Sequence, residues 1–415
     1  MSAVGTLLVL AFAERVDYVT QTNPATFITW AQLFSIGLVL GGVYALIALG
    51  YTLVYGILFM INFAHGEVMM LGAYCGYFAM QFVIMDGQHS FEDGAALIST
   101  IILPLIVGVV FLAPRRAAAT NQPNESLQRS TIRNFVIMPG RFLIGLLIGY
   151  SILVALSNGA PHMYLIVVTT LGVLFVVVCG MLFSMLVAFL LERTAYRPLR
   201  KAPRLVPLIS AIGASIFLQQ VALRIFGPGR KAYEQPQLLD TPPNFFINLG
   251  TLGVLPVNKV GVFIVILSIL LMIMLYIIVQ RTKIGTAMRA VAEDKDTAAL
   301  MGINVDRVIV FTFLLGAALA GAAGVMLGLR GDDLNARFGF TPGLKAFTAA
   351  VLGGIGNIPG AMFGGFFLGI VESLGPQMLG LNNDWKNAIA FSLLVIVIIF
   401  RPTGILGELT GAKKV

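Results

Sequence analysis

The stretch GYTLVYGILFMINFAHGEVMMLGAY, Gly50–Tyr74, decides how the chain is read. Most of it is apolar enough for a lipid bilayer, yet Asn62, His65 and Glu67 fall together in its middle. A charged side chain at the centre of an inserted helix costs on the order of 3 kcal/mol. Such a cluster persists at a helix end near an interface, as an internal pair, or beside water. Asn62 can cap a following helix, and Glu67 in its first turn suits the helix dipole. The loop charges given below put 61–66 at the cytoplasmic end of a span. A helix boundary at the cytoplasmic rim is therefore one reading. A place on a solute pathway is the second, and a proton relay through His65 and Glu67 is the third.

The surrounding composition identifies the solvent. The 415 residues are 58% hydrophobic and 11% charged, with a mean hydropathy of +0.91. Soluble domains carry about 25% charged residues, so lipid must cover much of this surface. The apolar runs are long and continuous, unlike the alternating strands of a membrane β-barrel. The 45 glycines suit close helix packing and helix breaks that line cavities. The net charge of +8 gathers in a few loops, a positive-inside pattern that argues against a nucleic-acid partner. Cys75 and Cys179 lie far apart, and there are three histidines. Neither set has the spacing of a disulfide framework or a metal site.

A span needs roughly 20 apolar residues. Candidates are 30–60, 66–85, 95–114, 142–156, 163–191, 205–226, 260–280, 308–329 and 387–400. The expected fold class is an all-α, polytopic transmembrane helical bundle of about nine spans plus a re-entrant or broken helix. The start MSAVGTLLVLAFA lacks the basic region of a cleaved signal peptide. It reads as an N-terminal extension, 1–29, ahead of a transmembrane domain, 30–415.

Loop charge sets the expected orientation. Arg115, Arg116, Arg129, Arg133 and Arg141 face Glu125 alone in 115–141. Arg193, Arg197, Arg200, Lys201 and Arg204 face Glu192 alone in 192–204, and Arg401, Lys413 and Lys414 mark the tail. These three regions are expected in the cytoplasm. Residues 86–94 hold Asp86, Glu92 and Asp93 without Lys or Arg and are expected outside. Alternation then puts 281–307 inside, 227–259 and 330–345 outside, the N-terminus in the periplasm and the C-terminus in the cytoplasm.

Residues 346–372, AFTAAVLGGIGNIPGAMFGGFFLGIVE, resist simple counting. Gly353, Gly354, Gly356 and Pro359 interrupt the run, and each half looks too short to cross alone. A re-entrant or broken helix is the cheapest reading; one tilted, kinked span is the alternative. Asn62 and Asn357 each sit beside an interruption, with Glu67 and Glu372 downstream. Transporters often place broken helices at matching positions of two repeats, near the midplane. The candidate path residues are therefore Gly353, Gly354, Gly356 and Asn357, with Tyr44, Tyr51 and Asn62. No charged residue falls at a predicted midplane position, which suggests a path that moves solute without gripping it.

The loop RTKIGTAMRAVAEDKDTAALMGINVDRV, 281–308, is longer than a connector requires. Asp294 or Asp296 can cap a short helix through Ala298, Ala299 and Leu300 that stops at Gly302. With Glu293 ahead of it, this compact helix reads either as a docking element or as an ordinary solvated loop.

Five stretches carry a family resemblance: 41–74, 192–219, AMRAVAEDKDTAALMGINVDRVIVFTFLLGAALAGAAGVMLG at 287–328, 345–372 and PTGILG at 402–407. The chain resembles the permeases of branched-chain amino acid ABC importers, LivH type, over roughly half its length in the family's order. The resemblance implies that 287–303 contains a coupling helix riding on an ATP-binding cassette subunit. It also implies a second, LivM-type permease subunit, a periplasmic amino-acid-binding protein and residence in a bacterial inner membrane. Against that family, much of 86–162 reads as an insertion. A P-loop needs a Gly-Lys pair, and no lysine here follows a glycine. ATP hydrolysis is thus expected in a separate polypeptide; no catalytic residue, cofactor or metal is expected in this one. A urea or short-chain amide permease of the same broad family is the alternative function, and a proton-coupled carrier a more distant one.

Overall fold

The computed structural model describes residues 24–84, 91–112, 147–200, 202–203, 205–240, 243–249, 253–401 and 403–407. The first part of the N-terminal extension, the basic loop 115–141, Asp86, Lys201, Arg204, Lys413 and Lys414 lie outside the described residues.

The described chain is helical apart from one hairpin. Its helices are α1 (Pro24–Leu58), α2 (His65–Ile84), α3 (Phe91–Leu112), α4 (Leu147–Gly159), α5 (Pro161–Leu191) and α6 (Leu205–Phe226). Next come strands β1 (Asn244–Asn248) and β2 (Val254–Asn258), then α7 (Lys259–Arg281), α8 (Lys283–Glu293) and α9 (Lys295–Leu300). The chain continues with α10 (Val305–Leu329), α11 (Phe340–Gly353), α12 (Ile358–Leu379) and α13 (Lys386–Phe400). Among the described residues, eight helices are long and apolar enough to cross a bilayer. Predicted segment 95–114 falls on α3. Segment 142–156 falls on α4, too short to cross alone.

The Gly-rich run is broken, but one expectation about it is corrected. Only α11, at 14 residues, is a half-helix. Its partner α12 runs for 22 residues, past Glu372 to a left-handed Gly380 cap, and is long enough to cross. The antiparallel hairpin β1–β2 was not anticipated.

The chain forms two compact units, 78–176 with 235–241, and the remainder. In the smaller, Gly149 of α4 lies against Pro104 of α3, and Gly172 of α5 against Ala95 and Phe91. The Leu238 N–H donates to Glu92 Oε1 at 3.3 Å.

In the larger unit, glycines set helix spacing. α1 packs chiefly on α12, where Gly37, Gly41 and Ala45 face Gly365, Gly369 and Ser373 so closely that backbone meets backbone. Small residues every fourth position allow this approach between membrane helices. Gly72, Gly180 and Gly321 join α2, α5 and α10 in the same way, and Ser184 Oγ donates to Val68 O at 3.0 Å. This contact also brings Cys75 and Cys179 together: two free thiols, with Cys75 Sγ 3.5 Å from the Cys179 carbonyl.

Loops sort to two ends. The N–H and C=O of Lys231 pair with those of Leu334 at 3.0 and 2.8 Å, joining loops both predicted outside. Arg197 and Arg200 reach Asp306 at 3.1 and 2.5 Å, joining loops both predicted inside.

Candidate functional site

Two places gather polar chemistry: the entry to α2 and the corner between α7 and α10. α1 ends at Leu58, and Phe59 takes a positive φ of 54°. That left-handed backbone is uncommon for an aromatic residue. Residues 59–64 then fold back along α1 before α2 begins. Asn62 organises the return: its Oδ1 accepts from Ala64 N at 3.1 Å and from the Tyr196 hydroxyl at 2.6 Å.

The helix boundary expected at Asn62–Glu67 is present, and Tyr196 of the loop predicted inside reaches it. His65 lies against Gly50, where any Cβ would collide with the imidazole, and its ring meets that of Tyr51 at 4.8 Å. Gly50 is eight residues before the end of α1, or about 12 Å at about 1.5 Å per residue. Asn62, His65 and Glu67 are all buried. Gly66 touches Gly339 and Gly343 at the start of α11, so the first turns of α2 and α11 meet inside the molecule.

A cavity of about 620 Å³ opens at this meeting point, between α2, α6 and α11. Its wall is mainly apolar, with Phe63, Ile212, Ile216 and Leu344, and Tyr51 joins it. The polar side chains are Ser215 and Gln219 on α6 and Arg337 before α11. Ser215 Oγ and Gln219 Nε2 both donate to Glu67 Oε1, at 3.2 and 2.7 Å. The second carboxylate oxygen, Oε2, is buried with no hydrogen-bond partner. Small-molecule sites have this size and this mixture of apolar wall and few polar groups.

The second break lies elsewhere. Gly354 and Gly356 hold φ of 99° and 96°, and Asn357 caps α12 through Gly360 N at 3.2 Å. The segment after α13 closes over them: Ile405 N donates to Leu352 O at 2.7 Å and Asn357 Nδ2 to Leu406 O at 2.8 Å. Gly356 and Asn357 line a separate hollow of about 520 Å³ with Tyr55, Gln280 and Arg289. This break packs against the segment that follows the last helix, residues 403–407.

Tyr44 sits apart from both, beside a buried ion pair. Lys345 Nζ contacts Glu372 Oε1 at 2.6 Å and lies 5.9 Å from the Tyr44 ring centre. Glu67, Lys345 and Glu372 are all buried. The sequence reading missed Ser215, Gln219, Lys345 and Arg337 as site residues. Ser215 and Gln219 stand at i and i+4 in an apolar helix, one face of α6. That spacing was the available signal.

At the corner between α7 and α10, Thr282 Oγ1 accepts from Gly285 N at 3.1 Å and starts the amphipathic α8. Asp294, rather than Asp296, caps α9: its Oδ1 accepts from Asp296 N and Thr297 N at 2.9 and 3.2 Å. Gly302, φ 84°, ends α9, and Ile303 N reaches back to Ala298 O at 3.1 Å. These are a capped start and a Schellman-type stop. Ala298 is buried beneath, while Glu293 and Ala299 are exposed, as are Leu300 and Met301 at 88% and 79%. Arg200 bridges Glu192 and Asp306 next to this corner. Burial first, then the Arg200 charge, lowers the pKa of Lys295.

Residues 33–122 and 139–398 match the family described as branched-chain amino acid transport system, permease component. The high-affinity branched-chain amino acid transport system permease protein BraD of Pseudomonas aeruginosa is 38% identical over 90% of this chain and 94% of its own length. The corresponding LivH proteins of Escherichia coli and Salmonella typhimurium are 36% identical over 91% of this chain and 95% of theirs. No solved structure matches the chain.

Proposed function

Since the chain belongs to the branched-chain amino acid transport permease family, we propose that it is the membrane subunit of an ATP-driven importer for leucine, isoleucine and valine. It forms half of the translocation path, and ATP is hydrolysed by separate cassette subunits. A LivM-type permease completes the membrane pair, and a periplasmic binding protein delivers substrate at loops 227–259 and 330–345. The chain resides in a bacterial inner membrane, with α8 and α9 in the cytoplasm and the C-terminus on the same side.

The observation that carries this reading is α9. A helix of two turns stabilises itself poorly in water, yet this one has a side-chain cap at one end and a glycine stop at the other. It holds two large apolar side chains out to solvent. A rigid knob between two spans suits transmission of movement from a soluble engine. ATP-driven closure of the cassettes pulls α9, a turn of a few residues joins α9 to α10, and the spans rock between outward and inward openings.

The test is co-purification and coupled hydrolysis. Leu300→Asp and Ala299→Glu should abolish capture of the ATP-binding subunits, or leave ATP hydrolysis running without leucine uptake. Wild-type capture together with wild-type uptake in both variants would overturn the docking role of α9. Parallel uptake of leucine and urea by the wild-type transporter checks the substrate: the amide reading requires urea to win.

A further inference from the structure

We infer that the cavity between α2, α6 and α11 is a binding site for the zwitterionic head of an aliphatic α-amino acid. Glu67 acts through Gln219 on the ammonium end, and Arg337 meets the carboxylate end. This deepens the importer reading and rests on it for the substrate class.

Three observations converge. First, the cavity is large enough for a small solute, and its apolar wall of Ile212, Ile216, Phe63 and Leu344 suits a branched hydrocarbon side chain. Second, Glu67 is buried and spends only one oxygen on protein partners. Ser215 and Gln219, which hold the other oxygen, both line the cavity, so the carboxylate reaches an occupant through them. Third, Glu67 fixes the amide of Gln219. A carboxylate accepts, so the amide must turn its NH2 toward Glu67. Its carbonyl oxygen is then the atom left to accept from an occupant, with a negative charge directly behind it. The three protons of an ammonium suit that arrangement, whereas a neutral amide leaves most of it unused.

The opposite charge comes from Arg337. It lines the same cavity, it is exposed, and it stands three residues before the start of α11. A guanidinium fork matches a carboxylate. The partial positive charge of the α11 N-terminus adds to it. Glu67 and Arg337 therefore give the cavity two poles joined by an apolar wall. Glu67 is a positioning residue, because Ser215 and Gln219 separate it from the cavity. His65 shares the boundary and packs against Gly50 and Tyr51.

The test uses the complete transporter in nanodiscs with the binding protein omitted, and radiolabelled leucine as the probe. Competitors are leucine, isocaproate (leucine without its amine) and isoamylamine (leucine without its carboxylate). The wild type should rank leucine above both analogues. Gln219→Leu and Glu67→Gln should each weaken leucine binding about tenfold, the scale of one charge-assisted hydrogen bond. Isocaproate should be almost unaffected, so the preference for the amine disappears. Arg337→Met should do the reverse, bringing leucine down to the level of isoamylamine. General damage to the fold would weaken all three ligands together. If Glu67→Gln does not assemble, Gln219→Leu decides the matter. Unchanged leucine preference in assembled Gln219→Leu and Arg337→Met overturns the proposal, as does equal loss of all three ligands. A wild type that takes up another solute and ignores leucine overturns the importer reading itself, and with it this site.

Discussion

The chain breaks its membrane helices twice, and the two breaks are made of different material. At 59–64 the return to α2 is filled with side chains: Asn62, His65 and Glu67, met by Tyr196, Ser215 and Gln219. At 354–357 it is filled with backbone: Gly354 presses against Gly404 and Gly407, and peptide groups bond across the gap. The first leaves a buried carboxylate oxygen without a partner beside a cavity. The second is closed by Asn357 and the segment after α13, and its own unpartnered carboxylate oxygen, Glu372 Oε2, belongs to the Lys345 pair. A break with a largely apolar cavity and a few polar side chains has the make-up of a ligand site; a break closed by peptide groups and braced by an ion pair has that of a joint. We therefore expect substitutions at the second break to move stability and those at the first to move transport.

The most damaging change should be one that cuts the brace across the second break. Lys345 joins α11 to Glu372 on α12, and Lys345→Met strands a buried carboxylate. Removing one partner of a buried pair costs about 3–5 kcal/mol. Thermal unfolding in detergent should show that loss, with much of it recovered in Lys345→Met/Glu372→Gln. Next comes Gly354→Leu, at a residue with φ of 99° where a Cβ would lie only 2.7 Å from Gly407. Strain and crowding there should cost about 1–3 kcal/mol, read in the same melts. Asn357→Ala removes a cap and should cost about 1 kcal/mol. Glu67→Gln sharpens the contrast: we expect less than about 1 kcal/mol in the melt, because one acceptor survives, together with the loss of leucine binding described above.

Much of this organisation is legible in the sequence because lipid enforces long apolar runs. Seven of the predicted spans correspond to helices that can cross, and the cap and stop of α9 could be read from Asp294 and Gly302 because capping is local. What was not legible depended on tertiary contact. Loop charge reports the side on which a span ends but not which side chains meet Asn62, His65 and Glu67. The fold-back of 59–64 draws them inward, and it depends on Gly50 and Gly66 giving way to His65 and Gly339. Glycine and proline announce the Gly353–Asn357 break but not what closes it, and here residues 403–407, some fifty positions away, do so. Ser215 and Gln219 became site residues only when α6 was set against Glu67.

The most direct measurement of where solute passes is protection of single cysteines. In a transporter with Cys75 and Cys179 replaced by alanine, Ile216→Cys probes the first break and Ile355→Cys the second. During ATP-driven turnover, saturating leucine should slow thiol modification at position 216 and leave position 355 unchanged. Protection at 355 with none at 216 would contradict the assignment of the path to the first break.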